Sequence, residues 1–262
     1  MSTPKRPARP VGETDTEEAF LARYDPSAYD RPSVTVDVVV LTIRNDELCA
    51  LLITRGDHPF KGHLALPGGF LEPDEDADTA AARELAEETG TYAHLEQLRT
   101  YTAPGRDPRT RVLSLAYLAL VPNAADPVAG TDATTARFVP LRALAETGVH
   151  LAFDHDQILT DAVERAAAKL EYTTIATAFC EPTFTIAQLR KVYETVWGYP
   201  LHPANFRRKV LSIDGFLTPV DAPKRTTAGR PAALYSAGTA TALMPPLMRT
   251  HNRPPTEQEQ TR

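Results

Sequence analysis

The sequence predicts an α/β layered domain followed by a smaller helix-turn-helix domain that carries a two-stranded wing. Three observations predict it. Between about residues 30 and 171, β-branched strand-like runs alternate with helical patterns, the arrangement that builds sheet and helix layers. From Tyr172 onward the pattern changes to short amphipathic helices and then two strand-like pieces around a basic, Gly-containing loop. Charge divides at the same place: residues 172–262 hold 11 Lys or Arg against 6 Asp or Glu, whereas residues 1–171 hold 17 against 28. An acidic first part joined to a basic second part predicts different partners for each, with a polyanion open to the second.

The elements follow in order. Residues 1–29 begin with a stretch rich in Pro, Thr and charge that has no apolar period, which predicts a disordered or extended N-terminal segment. The layered domain, residues 30–171, opens as a hairpin: Val34–Ile43 is dense in β-branched residues, Asn45 and Asp46 make a turn, and Leu48–Thr54 returns. Further strands fit Gln97–Thr102, Val112–Val121 and Ala136–Val139, and helices fit Asp78–Thr89 and Asp156–Leu170. With no Gly/Ser-rich linker, the helix ending near Leu170 should run directly into the second domain, residues 172–240, and make the junction semi-rigid. From Pro245 onward the chain repeats the character of the N-terminal stretch and ends in polar Glu257–Arg262, so residues 241–262 are expected to form a disordered tail.

Several classes are excluded on composition. No run of eighteen uncharged apolar residues exists, and Lys5, Arg6 and Arg9 followed by Pro10 do not make a signal peptide, so a cytoplasmic protein with no membrane partner is expected. Cys49 and Cys180, far apart and in apolar surroundings, read as buried thiols and not as a disulfide framework or a thiolate metal site.

The chemistry concentrates between Gly69 and Gly90. Gly69 is followed after five residues by Glu75 and after seven more by Arg83, Glu84, Leu85, Ala86, Glu87, Glu88, Thr89 and Gly90. Glu84, Glu87 and Glu88 stand at i, i+3 and i+4, so three carboxylates share one helical face. Like charges so placed repel, and the arrangement makes sense if Mg2+ or Mn2+ sits there, bridging to substrate phosphates and activating a water. Pro67, Gly68 and Gly69 let the backbone pass close to a ligand, Asp76 or Asp78 can cap the helix, and Gly90 suits a left-handed exit. Ala80, Ala81, Ala82 and Leu85 form a packing side.

Downstream, Arg106, Asp107, Arg109 and Arg111 lie within Pro104–Arg111, where guanidiniums suit phosphate or ribose oxygens, although an exposed basic loop is an equal reading for any one of them. Arg55, after the second strand, is a further candidate. Asp154, His155 and Asp156 open the last helix of this domain, the acids as caps or one of the three as a general base.

In the second domain, Thr185 with Gln188 forms a capping box, Ile186, Leu189, Val192, Tyr193 and Val196 recur at helical spacing, and Gly198 ends the helix. Pro203 opens a second helix on which Phe206 and Val210 share a buried face. Asn205, Arg208 and Lys209 point elsewhere, with Arg207 at the flank. Such residues can read base edges and phosphates in a major groove. Phe216–Pro219 and Ala233–Ser236 flank a loop carrying Lys224, Arg225 and Arg230, a wing whose arginine suits a minor groove. A solvated hairpin serving protein interaction is the alternative.

The set Gly69, Glu75, Arg83–Gly90 resembles the Nudix box, and the resemblance covers roughly Val34–Leu170. It implies a mixed sheet sandwiched by helices, with Glu84, Glu87, Glu88 and the carbonyl of Gly69 as metal ligands and Glu75 pairing with Arg83. Gly68, Gly69, Arg55, Arg106, Asp107 and Arg109 are the candidate substrate contacts, and the arginine segment is similar to that of ADP-ribose-binding members. Thr91 departs from the pattern, which prefers an aliphatic residue there. With both halves in view, Tyr193, Trp197, Gly198, Pro203, Asn205–Lys209, Gly229–Pro231 and Tyr235 make the chain resemble Nudix-related transcriptional regulators of NAD metabolism. That resemblance implies a homodimeric repressor of double-stranded DNA with ADP-ribose or a related nucleoside diphosphate as effector. The complete box leaves hydrolysis to AMP and a sugar phosphate open. The alternative is a housekeeping diphosphatase whose winged helix serves only assembly.

Overall fold

Val34–Leu41 is apolar at nearly every position, so a strand formed there has to be covered on both faces. That strand, β1 (Ser33–Arg44), is the spine of a seven-stranded mixed sheet in the computed structural model, which describes residues 16–90, 93–127, 133–221 and 232–249. β6 (Val112–Leu120) runs parallel to β1 along one edge, with β5 (Glu96–Tyr101) outside it. The other edge of β1 is shared. β4 (Gly68–Phe70) pairs with Thr35–Asp37, and β2 (Glu47–Arg55) pairs with Leu41–Arg44. Between these partners, Val38 N–H donates to Pro67 O at 2.8 Å. β2 then carries β7 (Ala133–Pro140) and the short β3 (Leu64–Ala65).

Alternation along β1 assigns the two faces. Val36, Val38 and Val40 pack with Leu51 against Ala80, Ala81 and Leu85 of α2 (Ala77–Thr89). Val39 and Leu41 pack with Ala50, Leu52 and Leu118 against Ile158, Leu159, Ala162 and Ala166 of α4 (His155–Tyr172). A 13-residue helix is marginal in isolation, so burial of that small-residue side and two caps hold α2 in place. Asp76, of the two candidates, supplies the N-cap, accepting Thr79 N–H at 2.8 Å, and Gly90 leaves the helix at φ 64°. α3 (Leu141–Thr147), which the sequence pattern did not predict, follows β7 directly.

The second domain forms as its pattern dictates. α5 (Ile186–Trp197) has the Thr185–Gln188 capping box and ends at Gly198, φ 77°. α6 (Pro203–Leu211) is N-capped by His202, and β8 (Leu217–Val220) pairs antiparallel with β9 (Leu234–Ala237). Leu189, Tyr193, Phe206, Val210, Phe216 and Tyr235 make its core. Ala167 and Leu170 of α4 belong to the same core, and Ile43 and Leu48 of the β1–β2 hairpin pack on it. Thr195 Oγ1 donates to Asp46 O at 3.2 Å and Trp197 Nε1 to Ala167 O at 3.1 Å, so the junction is fixed by packing and hydrogen bonds on two sides.

Both chain ends depart from expectation within the described residues. Residues 1–32 are a unit apart from 33–262. In it α1 (Glu17–Arg23), capped by Thr16, forms a helix with no buried side chain where a disordered or extended segment was expected. The start of the expected tail is packed instead: Leu243 and Leu247 are buried in the second core, and their N–H groups donate to Tyr172 O and Glu171 O. Arg249 pairs with Glu164 and with the buried Glu171. Two apolar side chains at i and i+4 within 241–249, amid prolines, were a signal that composition alone hides. No helix among the described residues is long and apolar enough to cross a membrane.

Candidate functional site

A cleft of about 290 Å³ opens where β1, β4 and α2 meet the loop before α4. Its acidic wall is α2. Gly69 lies on β4 against Glu84: a Cβ at this position would stand 2.1 Å from Glu84 Oε1, so only glycine lets that carboxylate reach the cleft. Burial raises the Glu84 carboxyl above its usual value, with Arg83 opposing. Arg83 donates to both oxygens of Glu75 (3.0 and 2.6 Å), to Phe70 O (3.2 Å), and through Nη1 to Glu84 (2.9 Å) and Glu87 (3.2 Å). Loop and helix are therefore tied as the resemblance implies. The same guanidinium also relieves the repulsion between Glu84 and Glu87, a compensation that the spacing of the like charges does not reveal. The side chain of Glu88 lies outside the described residues, as does Thr91. Among the described residues no three acidic, His or Cys side chains converge on one point.

The opposite wall is a buried charge network. Asp37, on β1, accepts from Ser114 Oγ, from Arg106 Nη2 at 3.2 Å, and faces His155 Nε2 at 3.4 Å. Burial pushes its carboxyl up, but His155, Ser114 and Arg106 outweigh burial and bring it down to about 2. His155 Nδ1 accepts the Leu66 N–H at 3.0 Å, so a neutral ring carries its proton on Nε2, toward Asp37. Arg106, with its side chain 4% exposed, makes a two-pronged pair with Asp154, 2.9 and 2.7 Å.

At the rim two cations lie over aromatic rings. Arg55 stands 4.8 Å from the centre of the Phe153 ring and donates to Pro59 O. Arg109 lies 5.2 Å from Phe70 and 5.8 Å from Phe153, and is gripped by the buried Asp107 at 2.7 Å. Phe153 has φ 56°, rarely adopted by a bulky residue.

Thus Arg55, Gly68, Gly69, Glu84, Glu87, Arg106, Asp107 and Arg109 all line one cleft, with Arg83 and Glu75 behind the acidic wall. Within it Asp107 holds Arg109, and Arg106 pairs with Asp37 and Asp154. Asp154, expected as a cap, makes no capping bond because its carboxylate is engaged by Arg106, while Asp156 accepts Leu151 N–H from the preceding loop. Sequence reasoning missed Asp37, Ser114 and Phe153. The available signal was Asp37 itself, one charge inside a strand apolar on both faces.

On the second domain, Asn205, Arg207, Arg208 and Lys209 are exposed along α6 while Phe206 and Val210 are buried, and Arg208 Nη2 reaches Asn205 Oδ1 at 3.3 Å. Lys224, Arg225 and Arg230 lie outside the described residues.

Residues 32–160 match the NUDIX domain family and residues 177–237 the NrtR DNA-binding winged helix domain. The chain is 34% identical over 223 residues, 84% of its length and 88% of the relative's, to the ADPR responsive transcriptional repressor NtrR of Acinetobacter baylyi. It is 40% identical over 134 residues, 51% of its length and 74% of the relative's, to an ADP-ribose pyrophosphatase of Methanocaldococcus jannaschii. Shewanella oneidensis NrtR, complexed with a 27mer DNA, superposes with TM-score 0.62 at 33% identity, covering 78% of this chain and 93% of that one. Its NUDIX domain complexed with ADP ribose gives TM-score 0.54 at 35% identity, covering 58% and 99%.

Proposed function

The chain belongs to the NrtR family, a Nudix domain joined to a DNA-binding winged helix, and from that premise we propose that it is an ADP-ribose-responsive transcriptional repressor. The observation that carries the reading is the presence, in one packed unit, of a cleft with acidic and guanidinium walls and of an exposed basic helix on a helix-turn-helix. Arg55 and Arg109 offer guanidinium donors at the rim to phosphate oxygens, and Phe70 and Phe153 hold them there. On α6, Asn205 and Arg208 suit base edges, and Arg207 and Lys209 suit phosphates of double-stranded DNA; the wing residues Lys224, Arg225 and Arg230 extend this face by their sequence. Two half-sites read by a homodimer complete the proposal.

The proposal extends to metal-dependent cleavage of ADP-ribose, with water, to AMP and ribose 5-phosphate. The absence of a Cβ at Gly69 leaves the Glu84 carboxylate room at the cleft, and Glu84, Glu87, Glu88 and the Gly69 carbonyl are the groups that would hold Mg2+ or Mn2+. Such an ion supplies Lewis-acid polarisation of a phosphoryl oxygen and a water of lowered pKa. Arg83 then has Glu75 as its standing partner and keeps the helix face registered on the loop.

The test is a gel-shift titration on the chain's own upstream DNA, with and without ADP-ribose and magnesium, following AMP release in the same tubes. Binding reversed by ADP-ribose is expected. Arg208→Ala combined with Arg230→Ala should abolish it while sparing nucleotide binding, and Glu87→Gln with Glu88→Gln should remove AMP release. Rapid AMP release without specific DNA binding would instead make the chain a diphosphatase with an accessory domain.

A further inference from the structure

Three consecutive residues at the start of α4 hold the cationic side of the cleft. The Phe153 ring supports Arg55 and Arg109, Asp154 grips Arg106 with both oxygens, and His155 faces Asp37 while accepting the Leu66 N–H. The far end of the same helix lies in the core of the winged helix. There Ala167 and Leu170 are buried, Ala167 O accepts the Trp197 indole N–H, and Glu171 holds Arg249. Eighteen residues make α4 a continuous rod of about 27 Å between the two.

We propose that Phe153, Asp154 and His155 are the positioning residues of the ligand cleft, and that through them α4 reports cleft occupancy to the winged helix where Trp197 meets Ala167. The proposal rests on the reading of the cleft as an ADP-ribose site. A diphosphate entering the cleft competes with Asp154 for Arg106 and with Asp107 for Arg109, since each guanidinium has a fixed set of donors. Loosening the Arg106–Asp154 pair frees the first turn of α4 from its tie to the arginine loop. A hydrogen-bonded helix passes such a shift along as a rigid body rather than absorbing it within its length. Phe153, held at positive φ between the loop and the helix, is the joint where the change enters. The ligand thereby meets different partners in two arrangements of one element, which is what coupling between two sites requires.

Trp197 is the sole tryptophan of the chain, so its emission reads the far end of α4 without any DNA present. The probe is the non-hydrolysable α,β-methylene analogue of ADP-ribose with magnesium, with binding measured by calorimetry. In the wild type the analogue should shift Trp197 emission. In Asp154→Asn the shift at saturating analogue should be lost, whatever the change in affinity, and a shift equal to the wild type's overturns the proposal. Should Asp154→Asn bind no analogue, Trp197→Phe decides, because it removes the N–H donor far from the cleft. It should bind the analogue normally while the ligand-induced loss of operator affinity, about 5- to 150-fold in coupled systems, drops below about threefold. Full coupling in Trp197→Phe overturns the proposal. A wild type that shows the emission shift but binds no DNA refutes the repressor reading alone; one that releases DNA with no shift refutes this inference alone.

Discussion

Asp37 is the most informative group to neutralise, because it is buried and its folded-state carboxyl lies well below the free value. Its value falls from 3.8 to about 2 through His155, Ser114 and Arg106. A folded pKa below the unfolded one means stability that is fully present above the unfolded value and lost as pH falls through the folded value. At 1.36 kcal/mol per pKa unit, the shift corresponds to something on the order of 2 kcal/mol. Asp37→Asn keeps the shape and removes the titration. Denaturant unfolding of wild type and variant, followed by Trp197 emission from about pH 5 to about pH 2, isolates this group as the difference between the two stability curves. That difference should shrink by roughly 2 kcal/mol toward acid, on top of a constant offset from the weakened hold on Arg106. Parallel curves across the window would refute the claim that the network charges Asp37 in the folded state.

Three further outcomes follow from the packing. Gly69→Ala would place a methyl 2.1 Å from Glu84 Oε1, and the forced displacement should lower AMP release on the order of a hundredfold with the fold intact by circular dichroism; unchanged turnover would show that Glu84 does not work from that position. Removing residues 242–262 strips Leu243 and Leu247 from the second core, at about 1.5–3 kcal/mol each, and leaves Glu171 without Arg249, so the denaturation midpoint should fall clearly. An unchanged midpoint would mean that the packing of Leu243 and Leu247 contributes nothing. Arg207→Ala with Lys209→Ala should flatten the salt dependence of DNA binding by about 0.9 in log–log slope for each phosphate no longer neutralised, with ADP-ribose affinity untouched; an unchanged slope would take α6 off the DNA phosphates.

What the sequence made legible was whatever lies within one element. The spacing of Glu84 and Glu87, the capping box of Thr185 and the exit glycines Gly90 and Gly198 all act over a single helical turn, and each sits as its residue type requires. The strands of the hairpin and of β6 were legible for the same reason, since β-branched density is local. The two-residue β3 and three-residue β4 were not, because their pairing is decided by the partners β2 and β1, and Gly68 and Gly69 have no strand propensity of their own.

The cleft shows why reading by neighbourhood stops where it does. Arg106 and Asp154 are 48 residues apart, and Ser114 and Asp37 are 77 apart, so no local pattern joins them. Each looked complete alone: Asp154 as a helix cap, Arg106 as one of three arginines in a loop. A buried charge, however, has to find its counter-charge somewhere. Asp37 in the middle of an apolar strand was therefore a statement that a cation and donors must come to it from elsewhere in the chain. The fold then decides which ones arrive. The switch of β1 from β4 to β2 as pairing partner leaves Asp37 at the end of the β4 register, facing the start of α4 and the arginine loop. Of the guanidiniums in that loop, Arg106 reaches inward and satisfies both Asp37 and Asp154, leaving Arg109, 41% exposed, at the rim where an anion can meet it. Burial thus sorts chemically identical side chains into one paired inward with two carboxylates and one open at the rim, a distinction that spacing along the chain cannot carry.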